Sequence, residues 1–94
     1  MELSYLRAND REAFARAFET ATESLQTRER NLLRLNVVHG VSGTAIATMY
    51  GVHRATAKRW LAAARQTLLE RTREELQRAL GLDSEELRSV MGLI

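Results

Sequence analysis

Apolar residues recur along this chain with the period of an α-helix. Phe14, Ala17, Phe18, Ala21 and Leu25 follow a 3.6-residue repeat, so the first segment has one apolar face. Both phenylalanines are expected in the core. Asn9 is placed to cap this helix, with Glu12 three residues on reaching back to the free backbone N–H. Residues 1–8 either extend the helix or precede it as a linker. A second segment opens with Thr27 as N-cap and Glu29 in the first turn, where a carboxylate meets the positive end of the helix dipole. Leu32, Leu33, Leu35 and Val37 supply its buried face. Gly40 ends it, since glycine takes the left-handed conformation that closes a helix.

Ser42 then caps a short helix over residues 43–50, with Ile46, Ala47 and Tyr50 on one face. Gly51 and Val52 form a tight break. His53 or Arg54 opens a long helix running to Leu80, whose apolar positions Ala57, Leu61, Ala64 and Leu68 make a narrow stripe flanked by Trp60. Gly81 stops it. Asp83 or Ser84 caps a last short helix with Leu87, Val90 and Met91 as its apolar face. No alternating strand pattern competes. The expected fold is all-α, a helix-turn-helix bundle of four to five helices with a long recognition helix and a short C-terminal helix. Residues 1–94 are expected to form a single domain.

Composition adds three points. Average usage gives about five prolines in a chain of this length, and this one has none among 94 residues, as a largely helical chain allows. It has no cysteine, which removes disulfides, thiolate nucleophiles and cysteine-ligated zinc. Its apolar runs are too short for a membrane span or a secretory leader. His39 and His53 are the only histidines, so no metal set is expected, and no cofactor either.

The net charge of +2 conceals an asymmetry. Residues 30–69 contain no acid but hold Arg30, Arg34, Arg54, Lys58, Arg59 and Arg65. The remaining residues are net acidic. Such a face meets an anion, most often nucleic acid, or is a solvated basic surface beside acidic ones.

Residues 42–65 carry the spacing of a DNA-binding helix-turn-helix. Small Ala47 lets the second helix cross closely, Gly51 falls where the turn needs positive φ, and Val52 plugs the gap behind it. With Ala57 as zero at 100° per residue, Ala57, Leu61, Ala64 and Leu68 fall within roughly 60° of one another. Arg54, Ala55, Lys58, Arg59, Ala62 and Arg65 spread over a separate arc of roughly 140°. Ala55 and Ala62 leave room for close approach to a groove. Arg54, Lys58 and Arg59 are expected at base edges or nearby phosphates, and Arg65 at the backbone. Thr44 and the free N–H groups after Ser42 form an anion site at a helix start. Arg28, Arg30 and Arg34 either clamp flanking phosphates or are ordinary helix surface, and His53 caps its helix or touches a phosphate. Tyr50 is expected in the core. Trp60 is either a core-edge residue or a protein-contact anchor.

The run LQTRERNLLRL at residues 25–35, Gly40-Val41-Ser42, Ile46-Ala47, Gly51-Val52, Thr56-Ala57-Lys58 and Ala64-Arg65 together resemble region 4 of sigma-70 family RNA polymerase sigma factors. The likeness covers residues 14–69, within a region-4-like core at 9–69. It is closest to the extracytoplasmic-function-like branch and, within it, to a divergent myxobacterial group. The resemblance implies a non-catalytic domain that binds the promoter −35 element of double-stranded DNA through its recognition helix. It also implies docking on the flap of the polymerase β subunit, possession of an anti-sigma partner, and a cytoplasmic setting. By position, Arg54, Thr56, Lys58 and Arg59 become the groove-reading residues, with Arg28 and Arg30 supporting the backbone. The apolar surface near the first helix and the start of the second becomes the candidate flap or anti-sigma contact.

Three departures stand out. Ala45 occupies a position where the family usually has Glu, Ala57 one where it has Val, and Trp60 one where it has a basic residue. Residues 70–94 form a helical extension beyond region 4, whose Leu76, Leu80, Leu82 and Leu87 require burial against the domain or in a homodimer. The chain is too short to include the −10-binding region, so it is expected to be a fragment of a longer factor. Another helix-turn-helix regulator or recombinase end domain, and a helical protein-interaction module, remain open readings. Catalysis is the least expected, because no nucleophile sits beside a base and no glycine loop cradles phosphate.

Overall fold

The computed structural model describes residues 3–81, 85, 86, 88 and 89, and the side chains of these residues from 11 onward. Its described regular structure is helical throughout: α1 (Leu3–Ser24), α2 (Thr27–Leu33) continued by a π-helical turn (Arg34–Val38), α3 (Gly43–Tyr50) and α4 (Arg54–Leu80). Glu85, Glu86, Arg88 and Ser89 are also helical. The cap expected at Asp83 or Ser84, and the apolar face of Leu87, Val90 and Met91, lie outside the described residues. So does Leu82.

Helix α1 begins well before Asn9, which is therefore an interior residue and not a cap. No glycine or proline interrupts residues 3–24, so nothing stops the helix from extending. The N-cap of α2 is Gln26, one residue before Thr27. The position of Glu29 explains the shift. An acid in the third helical position reaches back to the N–H of the cap residue, and the Glu29 carboxylate accepts from the Gln26 N–H at 3.1 Å.

The π turn was not anticipated. The His39 N–H donates to the Arg34 carbonyl at 3.1 Å, and the Val41 N–H to the Leu35 carbonyl at 2.9 Å. A wider turn breaks the i, i+4 register that would have placed Val37 on the face of Leu33. Val37 is 68% exposed as a result, and its expected place in the core is corrected. Gly40 follows with φ of 65°, at the left-handed residue foreseen for it.

Helix α3 has the foreseen boundaries. Ser42 Oγ accepts from the Ala45 N–H at 3.1 Å. At the other end Gly51 has φ of 66°, its N–H donates to the Thr48 carbonyl, and the Val52 N–H donates to the Ala47 carbonyl. That pair of bonds is the Schellman closure. Helix α4 starts at Arg54 and runs for 27 residues, about 40 Å at 1.5 Å per residue.

The chain forms two compact units, Leu25–Leu68 and Met1–Ser24 with Leu69–Ile94. In the first, Leu32, Ile46, Ala47, Ala57 and Leu61 are buried together, with Leu35, Val41, Tyr50, Val52 and Trp60 packed around them. Ile46 is fully buried, and burial of such a side chain contributes roughly 1.5–3 kcal/mol. Leu25, Leu33 and Ala64 form a further cluster with Leu68 against it. This core holds α2, α3 and the first half of α4 together.

In the second unit, Ala13 and Ala17 of α1 bury Leu76 from the later part of α4, with Phe14 and Leu80 beside them. Leu76 and Leu80 thus find cover within the chain. Phe18 does not share it. It stacks on Phe14 with ring centroids 6.0 Å apart and remains 42% exposed, so its expected core position is also corrected. Alanine, not phenylalanine, forms the buried stripe of α1. Arg71 closes the C-terminus of that helix, where carbonyls lack helical partners: its Nη1 donates to the Ser24 carbonyl at 2.7 Å and to Ser24 Oγ at 3.1 Å.

Candidate nucleic-acid interface

The unit Leu25–Leu68 presents the first turns of α4 to solvent. Burial of Ala57, Leu61 and Ala64 sets the rotation of the helix, and the opposite side carries Arg54, Ala55, Lys58, Arg59 and Ala62, all exposed. Among the described residues Arg54 and Lys58 have no ion pair or side-chain hydrogen bond. Arg59 donates from Nη2 to Thr56 Oγ1 at 3.2 Å, one turn back on the same helix. Thr56 is half-buried.

The start of α3 lies alongside Lys58. A Cβ placed on Gly43 would stand 3.5 Å from Lys58 Cγ and 3.8 Å from Leu61 Cδ1. The stem of Lys58 therefore packs on the first residue of α3. Thr44, the next residue, is exposed, and its carbonyl accepts from Thr48 Oγ1 at 3.3 Å. His53 is exposed directly before α4, and its carbonyl accepts the Ala57 N–H at 3.0 Å, so its backbone begins the helix.

The four remaining basic positions differ. The Arg65 guanidinium donates to Asn36 Oδ1, and Asn36 Nδ2 in turn donates to the Val41 carbonyl at 2.9 Å. Arg65 thus joins α4 to the π turn and to the residue before Ser42. Arg28, in the first turn of α2, lies with its Cζ 4.4 Å from the centroid of the Trp60 ring. A cation over an indole at an exposed site contributes roughly 0.5–1 kcal/mol. Tyr50 meets the same indole edge-on, with centroids 6.0 Å apart and planes at 80°. Arg30 is half-buried, and no hydrogen bond or ion pair joins its side chain to α4 among the described residues. Arg34 stands on the rim of an open hollow that Asn31, Leu35, His39, Met49 and Tyr50 also line.

Sequence reasoning missed two of these arrangements. Asn36 carried no signal, since a lone asparagine inside a helical pattern reads as surface. Trp60 reads from sequence as core edge or partner anchor, and its pairing with a cation 32 residues earlier leaves no mark in local spacing. Among the described residues no group of His, Asp or Glu is placed to hold a metal ion, and no helix is long and apolar enough to cross a membrane.

A family model described as Sigma-70, region 4 matches residues 15–68, more than half of the chain. The matched stretch starts within α1 and ends at Leu68, so it contains the whole helix-turn-helix. No curated protein and no solved structure matches the chain.

Proposed function

The chain belongs to the sigma-70 region 4 family, and we propose that it binds the −35 element of promoter DNA and directs RNA polymerase to promoters as the C-terminal domain of a sigma factor. The observation that carries this reading is the exposed side of α4, where Arg54 and Lys58 stand without partners among the described residues beside small Ala55 and Ala62. A major groove admits one helix, and alanines let its backbone approach the bases. Arg54, Thr56, Lys58 and Arg59 read base edges or the phosphates next to them. Thr44 and the first N–H groups of α3 meet the phosphate backbone, aided by the helix dipole. His53 stands at the start of α4, close to the same backbone.

Arg65 acts differently from the expectation in this reading. Its guanidinium is engaged by Asn36, so it orients the segment before Ser42 and meets phosphate only through donors left over. Polymerase contact falls to apolar surface: Val37, Val38 and Met49 are well exposed within Leu25–Leu68. Such residues suit a helix of the β-subunit flap, or an anti-sigma factor competing for the same surface. Promoter and polymerase together imply a cytoplasmic site of action.

A salt series of anisotropy titrations with duplex DNA tests the groove assignment. Replacing Lys58 and Arg59 together by alanine is expected to lower affinity and reduce the salt slope by about two phosphate contacts. Unchanged affinity and slope would remove α4 from the interface. Capture of the isolated β flap by the chain tests the polymerase role. Duplex binding without flap capture would favour a helix-turn-helix regulator of another kind.

A further inference from the structure

We propose that Trp60 is a positioning residue for DNA binding, an aromatic platform that holds the Arg28 guanidinium ready as a phosphate donor at one flank of the groove-facing side of α4. The inference rests on the reading of this chain as a duplex-binding domain. Arg28 is exposed and its Cζ lies 4.4 Å from the centroid of the indole. Among the described residues no carboxylate, carbonyl or hydroxyl accepts from its guanidinium. The adjacent acid, Glu29, is engaged by the Gln26 N–H at 3.1 Å. Tyr50 packs on the same indole with ring planes at 80° and holds it in place.

The chemistry of the support matters. An acidic partner would also restrain Arg28, but it would occupy N–H donors and cancel the charge that attracts phosphate. An indole face restrains the cation and leaves every N–H donor available. Restriction before binding lowers the side-chain entropy lost when the donor settles on a phosphate. Placement agrees with this role. On the wheel Trp60 lies roughly 60° from Ala57, toward the Thr56 and Arg59 side. Lys58 lies on the other side, against Gly43 at the start of α3. Arg28 and the start of α3 therefore flank the two sides of the exposed face, as the two strands flank a helix lying in the major groove.

The test uses the 94-residue chain and a labelled short duplex of mixed sequence, titrated by anisotropy across a salt series. Arg28→Ala is expected to lower the salt slope by about 0.9, one phosphate contact. Trp60→Leu is expected to lower it equally, the double variant no further, and Trp60→Phe, which keeps an aromatic face, to restore most of it. Because the chain has a single tryptophan, its emission reports the stack even where Trp60→Leu fails to fold. Arg28→Ala is expected to shift that emission without DNA, and an unchanged spectrum would overturn the platform. If the unaltered chain shows no salt-dependent binding, the DNA-binding reading fails and takes this inference with it. If the chain binds but Arg28→Ala leaves the slope intact, or Arg28→Ala lowers it and Trp60→Leu does not, this inference alone is overturned.

Discussion

The two halves of α4 solve opposite problems with similar residues. In the second half two of the three arginines are used internally: Arg71 closes the end of α1 through Ser24, and Arg78 pairs with Glu75 at 2.8 Å. In the first half Arg54 and Lys58 are left without partners among the described residues, and acids are absent from residues 30–69. The apolar sides differ as well. Leu25–Leu68 is filled by Leu32, Ile46 and Leu61 with an aromatic border, whereas the other unit sets Leu76 between alanines of α1. One helix thus carries a basic face with Arg54 and Lys58 unpaired among the described residues and, further along, two arginines tied to other groups of the chain. Basic composition alone would not separate them; the acids do, absent from residues 54–69 of the helix and present as Glu70, Glu74 and Glu75 further on.

The largest expected effect comes from comparing the cores. Ile46 and Leu76 are both fully buried, and truncating either to alanine is expected to cost about 2–5 kcal/mol in thermal or urea melting. Only Ile46→Ala should also abolish duplex binding. Loss of DNA affinity in folded Leu76→Ala would break the division of labour between the units. Next in size is the charge comparison. Lys58→Ala with Arg59→Ala is expected to weaken duplex binding on the order of 10–100-fold, whereas Arg73→Ala with Arg78→Ala should leave the salt slope unchanged. Equal losses would show that net charge, not the α4 face, drives binding.

Two smaller effects sharpen the local picture. Gly51 has φ of 66° and open space around its Cβ position, so Gly51→Ala is expected to cost about 1–2 kcal/mol from backbone strain alone. A melting temperature unchanged by that substitution would mean the turn can relax. Arg71→Ala is expected to cost about 0.5–1.5 kcal/mol, the net value of its bonds to Ser24. Hydrogen exchange in the last turn of α1 should rise in the same variant, with Leu25–Leu68 unaffected.

Which features were readable beforehand follows the range of the forces involved. Ser42, Gly51 and Gly81 mark helix boundaries at the foreseen residues, because a cap or a left-handed glycine acts on backbone within a few residues. The face of α4 was readable for the same reason, since its stripe of Ala57, Leu61 and Ala64 needs only the helical period. Thr27 reads as the cap from its residue type, whereas the cap is Gln26, whose N–H the Glu29 carboxylate accepts. Val37 and Phe18 read as core from the helical period, which a π turn breaks at the first and which leaves the second at the edge of the buried alanine stripe.

Helical periodicity, capping chemistry and the acid-free stretch were sufficient to specify an all-α chain with a helix-turn-helix and a basic exposed helix, since each is local or additive along the chain. Tertiary packing decided the rest. It set the engagement of Arg65 by Asn36 of the π turn and the placing of Arg28 over Trp60. The engagement of Arg65 and the placing of Arg28 depend on side chains 29 and 32 residues apart meeting at fixed distances. No periodic pattern encodes such a meeting, which arises only when α2 and α4 close over a shared core.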